Sequence, residues 1–281
     1  MSEGIDLNSL CISIWLFSAL LGVGLKLTWS DFREFKYYKK DLAKLLILNY
    51  ILLPTILLLL AISLNWKTDH SIFAIFLCLI IPGSPIALTL ASSVKGDITF
   101  NVLSTLTLIC CIAILTPIWL TVGDKIFHLT IELPYATLVN IILFKVLLPL
   151  IIGISIHSYK NSYTYKVSII FNWIGKITLI LLIVNSIVNQ TTNIKFLHLN
   201  FYIAAVLTLL ALMLLIYGLH FKNQQSRVVF LNSLVKNTAL CLMLSKILGN
   251  DYYQATLQYS LFVILIAYIA NTLFQRTSKL I

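Results

Sequence analysis

Charged residues are scarce in this chain of 281 residues, in which Asp, Glu, Lys and Arg together make up 11%. Soluble domains carry about 25%. Hydrophobic residues make up 59% and the mean hydropathy is +0.96, so there is too little polar surface to cover a water-soluble fold. The composition excludes an ordinary soluble enzyme, a disordered chain and a secreted disulfide scaffold. It predicts an all-α polytopic membrane protein, with the lipid bilayer as its partner.

Patterns of catalytic or metal-binding residues are also missing from the sequence. The five cysteines lie in apolar runs without metal-ligand spacing, and the five histidines form no cluster. No phosphate-binding glycine loop, HExxH or GxSxG motif is present. We therefore expect no enzyme, no metal site and no cofactor. The basic segment 26–44 has aromatic residues between its charges. We interpret it as a membrane-surface loop and expect no nucleic acid partner.

Nine hydrophobic runs are long enough to cross a bilayer, whose core of about 30 Å requires roughly 20 apolar residues in a helix. They are 8–27, 42–64, 72–93, 98–122, 135–157, 165–189, 199–219, 226–248 and 254–275. The loops between them are short, so we expect neighbouring helices to be antiparallel.

Lysine and arginine residues are unequally divided between the two sides of the membrane that these spans define. Thirteen lie on one side: Lys26, Arg33, Lys36, Lys39, Lys40, Lys44, Lys95, Lys160, Lys166, Lys222, Arg227, Arg276 and Lys279. Lys67, Lys125 and Lys195 lie on the other. Because cytoplasmic loops collect basic residues, we expect the N-terminus outside and the C-terminus in the cytoplasm. The predicted location is the plasma membrane, which in a bacterium is the inner membrane.

Two of the nine spans are interrupted, the third at 72–93 and the eighth at 226–248. The third contains Pro82-Gly83-Ser84-Pro85, which removes backbone donors and frees carbonyl groups near the middle of the membrane. The eighth has five polar residues within seven positions, namely Asn232, Ser233, Lys236, Asn237 and Thr238. A proline kink with polar contacts between helices would explain this pattern. So would two discontinuous helices that meet at a substrate site, as in inverted-repeat transporters.

Several short motifs are similar to those of one transporter family. They are Gly22 to Thr28 followed by Asp31-Phe32, Pro82-Gly83, Lys95-Gly96-Asp97, Leu115-Thr116-Pro117, Val146 to Gly153, and Lys236 to Leu240. In the order and spacing of these motifs the chain resembles the bile acid/sodium symporter family, and the related auxin efflux carriers match less well. The resemblance implies two inverted repeats of five helices, each with a broken fourth helix, and the two breaks cross. If the third span is the first crossing helix, the resemblance implies that the family's optional first helix is missing here. We then expect 1–122 to form a repeat of four spans and 135–281 one of five, within a single membrane unit.

The resemblance also implies a sodium site, whose oxygen ligands this sequence retains only in part. The family's Ser-Asn pair falls on Ala87 and Leu88, which have no ligating side chain. The other ion-site positions fall on Asn49, Asn101, Thr105, Asn232, Ser233 and Lys236. Asn232 stands where the family has glutamate, and Lys236 where it has glutamine. Two like charges about 4 Å apart repel by roughly 4 kcal/mol at an effective dielectric near 20. We therefore hypothesise that Lys236 replaces the bound cation and that sodium coupling is altered or absent. Alternatively, Lys236 itself carries a proton.

These implications lead to a secondary active transporter of a small or amphipathic organic anion that works by alternating access. All ten carboxylates lie outside the span interiors, and unpaired positive charge in a membrane favours an anionic partner. The expected substrate contacts are Gly83, Ser84, Pro85, Lys236, Asn237 and Thr238, while spans one, five and six rock against the rest. The alternative is an auxin-efflux-carrier-like or channel-like membrane protein without ion-coupled transport. The sequence leaves open the substrate, the direction of transport, the coupling ion, the oligomeric state and whether Lys145 and Lys176 face the transport path.

Overall fold

A computed structural model describes residues 7–92, 97–128, 135–159, 161–190, 197–220 and 223–277. These residues are almost entirely helical and include no strand. The α-helices are α1 Leu7–Gly24, α2 Phe35–Ile47, α3 Leu53–Ser63, α4 His70–Leu79, α5 Pro85–Ser92, α6 Ile98–Phe127, α7 Tyr135–Asn140, α8 Leu148–Tyr159, α9 Asn161–Gln190, α10 Leu199–Gly218, α11 Asn223–Leu234, α12 Thr238–Leu248 and α13 Asn250–Thr277. A 3₁₀ helix at Trp29–Glu34 precedes α2, and π-helical segments at Leu48–Leu52 and Ile141–Leu147 precede α3 and α8.

Six helical stretches in the described part of the chain are long and apolar enough to cross a membrane. They are Trp29–Ser63, Thr99–Phe127, Ile141–Tyr159, Leu199–Gly218, Gln224–Leu248 and Asn250–Gln275. Large aliphatic side chains lie on the outside of several helices, for example Ile114 at 68% and Leu214 at 71% exposure. In water such a surface would be unfavourable, whereas lipid covers it without cost. An all-α polytopic membrane protein is therefore confirmed, while nine spans and inverted repeats stay predictions.

The described chain divides into two compact units, the first of which consists of residues within 1–30 and 136–196. It contains α1 and most of α7 to α9, which correspond to the predicted spans one, five and six. Helices α1 and α8 approach closely at Gly24 and Gly153, where a Cβ added to Gly153 would lie 2.7 Å from the carbonyl oxygen of Leu21. Lys145 is half-buried, and its Nζ donates to Ser13 Oγ at 3.2 Å. The side chain of Lys176 lies outside the described residues.

The second unit consists of residues within 31–135 and 197–281, and it contains both interrupted helices. Helix α4 is separated from α5 by residues 80–84, and α11 is separated from α12 by residues 235–237. All residues in 71–84 and in 228–245 are buried. The interrupted helices therefore form the interior of this unit, as irregular backbone at membrane depth requires.

The first interruption follows directly from its sequence. Gly83 has a φ of +83°, and a Cβ there would lie 2.9 Å from Ile109 Cγ1, so a larger residue would be both strained and crowded. Ser84 Oγ accepts from the backbone N–H of Ile86 at 3.2 Å, and Pro85 is the first residue of α5. A proline at this position needs no helical donor. The motif thus ends one half-helix and starts the next.

Two of the other motifs that carry the family resemblance have structural roles. Asp97 caps the N-terminus of α6, and its Oδ1 accepts from the backbone N–H of Phe100 at 2.9 Å. Thr116 Oγ1 donates to the carbonyl oxygen of Ile80 at 2.8 Å, which satisfies a carbonyl that the first interruption leaves without a helical partner. Lys95 and Gly96 lie outside the described residues. So do four other basic residues that the predicted orientation uses, Lys160, Lys195, Lys222 and Lys279.

Candidate functional site

The two interruptions are in direct contact. The backbone N–H of Asn237 donates to the carbonyl oxygen of Ile81 at 2.9 Å. Both groups lie in the non-helical stretches and have no helical partner there, so each satisfies the other. This hydrogen bond joins the first broken helix to the second at their breaks.

One group of polar side chains beside the breaks is held together by hydrogen bonds between its own members, and we call it the amide–hydroxyl cluster. It consists of Asn101, Ser104, Thr105 and Asn232, all fully buried. Asn232 Nδ2 donates to Asn101 Oδ1 at 3.1 Å and to Ser104 Oγ at 2.8 Å. Asn232 Oδ1 lies 3.0 Å from Thr105 Oγ1, which can donate to it. The cluster therefore ties α6 to α11 without any charge.

The backbone of α5 completes the amide–hydroxyl cluster. Asn101 Nδ2 donates to the carbonyl oxygen of Leu88 at 3.0 Å. Leu88 is one of the two positions at which the family resemblance implies a side-chain ligand that this chain lacks. Its main-chain oxygen thus receives a hydrogen bond from the cluster, and the neutral amide groups meet one another's bonding needs.

A second group, which we call the amine cluster, consists of Asn49, Ser233 and Lys236. Lys236 is only 3% exposed, and its Nζ donates to Asn49 Oδ1 at 3.2 Å. Asn49 Nδ2 donates to Ser233 Oγ at 2.8 Å and to the carbonyl oxygen of Leu45 at 3.0 Å. Asn49 lies in the π-helical segment Leu48–Leu52, and π segments are frequent at functional sites because they redirect side chains. The segment brings the Asn49 amide to the lysine.

The Lys236 amine has no carboxylate within 4 Å in the ranges that the structure covers. One ion pair in these ranges joins Lys44 to Asp41 in α2. An ammonium carries three N–H donors, and the described contacts account for one of them, to Asn49. A buried charge without a counter-charge is strongly unfavourable, which makes this amine a candidate binding group for an anion.

Asn237 presents a second donor next to the lysine. Its Oδ1 accepts from the backbone N–H of Leu240 at 3.4 Å and caps the N-terminus of α12. Because this bond fixes the orientation of the amide, Nδ2 points the other way. Nδ2 is buried and has no acceptor among the described residues. Thr238 is also buried, and its Oγ1 donates to the carbonyl oxygen of Lys236 at 3.3 Å.

A small cavity lies beside the amine cluster. Its polar lining comes from Thr208, Ser233, Lys236 and Tyr259, and the other five lining residues are leucines. It has room for about one water molecule. In this conformation the cavity is too small for an organic substrate, so an organic ligand requires the site to open.

The structure brings together the predicted ion-site residues in two separate groups. It joins Asn101, Thr105 and Asn232 in one, and Asn49, Ser233 and Lys236 in the other. Among the described residues no hydrogen bond links Gly83, Ser84 or Pro85 to Lys236, Asn237 or Thr238, and the substrate site that they would form stays a prediction. Thr208 and Tyr259, which line the cavity, were not among the predicted site residues. Both are hydroxyl-bearing residues within largely apolar runs, and this is the sequence signal that could have identified them.

A comparison with known protein families gives a match to the larger part of this chain. Residues 13–198 match the family model described as the Sodium Bile acid symporter family. The match includes the first interrupted helix and Asn49, while the second interrupted helix follows the matched residues. No curated protein matches the sequence. With most of its length matched, this chain belongs to the sodium bile acid symporter family.

Proposed function

We propose that this membrane transporter is a secondary carrier of a small or amphipathic organic anion, and that it works without sodium. Family membership supports a membrane transporter of the bile acid symporter type. The observation that carries the finer proposal is the Lys236 amine, buried beside two interrupted helices without a carboxylate in the described part of the chain.

Electrostatics opposes a sodium ion at the amine cluster. Nζ of Lys236 lies within hydrogen-bonding distance of Asn49 Oδ1, the kind of oxygen that a hard cation would bind. A sodium ion on the same oxygen would lie about 4 Å from the ammonium and be repelled by roughly 4 kcal/mol at an effective dielectric near 20. The amine therefore acts as a tethered cation, and an anionic substrate does not need a co-transported sodium to balance its charge.

The remaining open donors favour a ligand that only accepts hydrogen bonds. The N–H groups of Lys236 that Asn49 leaves unused, and Asn237 Nδ2, lie on adjacent residues of the second interruption. The N-terminal end of α12 begins at the same place and has a positive partial charge. Ionised carboxylate and sulfonate groups accept but do not donate, so we expect the substrate to carry one of them.

Transport by alternating access requires that the buried site becomes accessible from each side in turn. We expect the unit that contains spans one, five and six to move as a body during this cycle. Nine spans with the N-terminus outside complete the proposal, and the 13-to-3 division of basic residues supports this orientation.

The test is transport by the purified protein in lipid vesicles. A panel of anions (propionate, succinate, benzoate and taurocholate) is first screened for thermal stabilisation, and the best is used in radiolabelled form. We expect saturable uptake and counterflow in sodium-free choline buffer. Lys236→Ala should lower uptake at least about 30-fold, because loss of a buried charged contact costs 2 kcal/mol or more.

Lys246→Gln is the matched control for Lys236→Ala. Lys246 is also on α12, but it is only half-buried, and its Nζ lies over the ring of Tyr253 at 5.9 Å. We expect this variant to transport at the wild-type rate. Flux that rises linearly with concentration and shows no counterflow would indicate a channel and contradict the proposal. Wild-type uptake by Lys236→Ala would contradict the assignment of the anion site.

A further inference from the structure

The cavity beside Lys236 has the composition of a site for a small anion. Five leucines form most of its wall, so the interior is of low polarity. The polar lining residues are the lysine and three residues with hydroxyl groups, Thr208, Ser233 and Tyr259. A hydroxyl can turn its hydrogen towards an anion. No carboxylate lines the cavity in the described part of the chain.

An organic substrate cannot neutralise the Lys236 ammonium throughout the transport cycle. A carrier releases its substrate in every cycle, and the Lys236 ammonium would then be left in a membrane interior without a counter-charge. Tyr259 also lines the cavity, and a phenol is not an acid of carboxylate strength. Unless the amine gives up its proton, the counter-charge must therefore come from solution.

Size restricts the ion. The cavity has room for about one water molecule. In this conformation the cavity is too small for sulfate, phosphate or an organic carboxylate. A chloride ion is also larger than water, so the flexible leucine side chains must shift to admit it.

We propose that a halide ion, chloride under ordinary conditions, occupies this cavity as the counter-ion of the Lys236 ammonium. Thr208 Oγ1 donates its hydrogen to the carbonyl oxygen of Ala205 at 2.9 Å. We therefore assign the donor to the ion to the hydroxyl of Tyr259, which also lines the cavity. This inference goes beyond the proposed function, because halide binding is measured without any organic substrate.

The experiment uses the purified full-length protein in nanodiscs. Thermal unfolding is compared in choline gluconate and choline chloride, and binding of ³⁶Cl⁻ is measured on the same sample. Chloride should raise the Tm by several degrees, since a ligand that binds only the folded state stabilises it. Binding of ³⁶Cl⁻ should be saturable and displaced by bromide. Lys236→Met should lose both effects, whereas Lys246→Gln should keep them.

Tyr259→Phe gives a test that does not alter the charge. It should weaken ³⁶Cl⁻ binding about tenfold, because a hydrogen bond to a charged group contributes roughly 1.5 kcal/mol or more. Wild-type protein that shows neither the Tm shift nor ³⁶Cl⁻ binding contains only water in the cavity, which would overturn the inference. Undiminished binding by Lys236→Met would overturn it as well.

Different experimental results would refute the proposed function and the halide site. Organic-anion uptake by a wild-type protein that binds no ³⁶Cl⁻ would leave the proposed function in place and remove the halide. Binding of ³⁶Cl⁻ without uptake of any organic anion would do the reverse.

Discussion

The amide–hydroxyl cluster and the amine cluster lie beside the same two breaks, yet they differ in how far their hydrogen-bonding groups are paired. In the first, Asn232 uses both ends of its amide and is bonded to Asn101, Ser104 and Thr105. In the second, Lys236 has one described partner, the amide of Asn49. The first cluster consists of neutral groups that bond to one another, whereas the second contains an amine whose described contacts use one of its N–H groups.

Under our proposal, the two clusters dispense with a bound metal ion in different ways. At the amide–hydroxyl cluster, hydrogen bonds between side chains occupy the oxygen atoms that the family resemblance implies as sodium ligands. At the amine cluster, we propose that a fixed ammonium takes the place of the mobile ion. We infer that the first arrangement serves the stability of the fold and that the second serves anion binding.

The largest effect should come from changing the amine cluster. We expect Lys236→Met to lower kcat/KM for the organic anion at least about 30-fold, because the substrate loses its buried counter-charge. The stability should change by less than about 2 kcal/mol, because removal of the buried charge offsets the loss of the bond to Asn49. Uptake and chemical unfolding measured on one preparation separate the two effects. If Lys236→Met lowers uptake only because the protein unfolds, the difference in roles between the two clusters is contradicted.

Substitution in the amide–hydroxyl cluster should affect stability more than it affects transport. Asn232→Leu removes one hydrogen bond each from Asn101, Ser104 and Thr105. We expect the free energy of unfolding to fall by about 3 kcal/mol, since each lost hydrogen bond contributes about 1 kcal/mol. KM of the folded fraction should stay within about twofold of the wild-type value. If KM rises tenfold and stability is unchanged, the cluster binds substrate and the division of roles is wrong.

A double substitution should restore a sodium site. Asn232→Glu with Lys236→Gln restores both residue types that the resemblance implies for the sodium site. We expect uptake by this variant to be stimulated about fivefold by sodium, because a carboxylate and an amide oxygen suit a hard cation. Asn232→Glu alone is the control and should show no stimulation, since Lys236 still repels the ion. Equal uptake with and without sodium by the double variant would argue against a retained ion site.

The smallest effect should come from Asn237. In Asn237→Ser the hydroxyl can still cap α12, but the unpaired Nδ2 is gone. We expect stability within about 1 kcal/mol of the wild type and a KM about fivefold higher, the loss of one neutral hydrogen bond to the substrate. Initial uptake rates over a range of substrate concentrations provide the measurement. An unchanged KM would show that this amide does not contact the substrate.

The sequence predicted the two interruptions because Pro82, Gly83 and Pro85 cannot continue a helix and because five polar residues in seven positions are costly in lipid. The family resemblance also implies which positions stand in place of the sodium ligands, and this assignment stays a prediction. The sequence could not predict how they pair, since Asn232 and Lys236 are four residues apart yet bond to different helices. The π-helical segment at Leu48–Leu52 was also not predictable, because its apolar sequence resembles that of an ordinary helix. The cavity depends on Thr208 and Tyr259, which are distant in sequence from the breaks and come together only in the folded unit.

The dependence of transport on sodium tests the central claim most directly. Initial rates of organic-anion uptake are measured in vesicles loaded and bathed with choline, and again with sodium, for the wild-type protein. If the Lys236 ammonium replaces the metal ion, the two rates should agree within about twofold. Uptake that falls to the level of empty vesicles when sodium is removed would show that the ammonium does not replace the ion, and the account of both clusters would then be wrong.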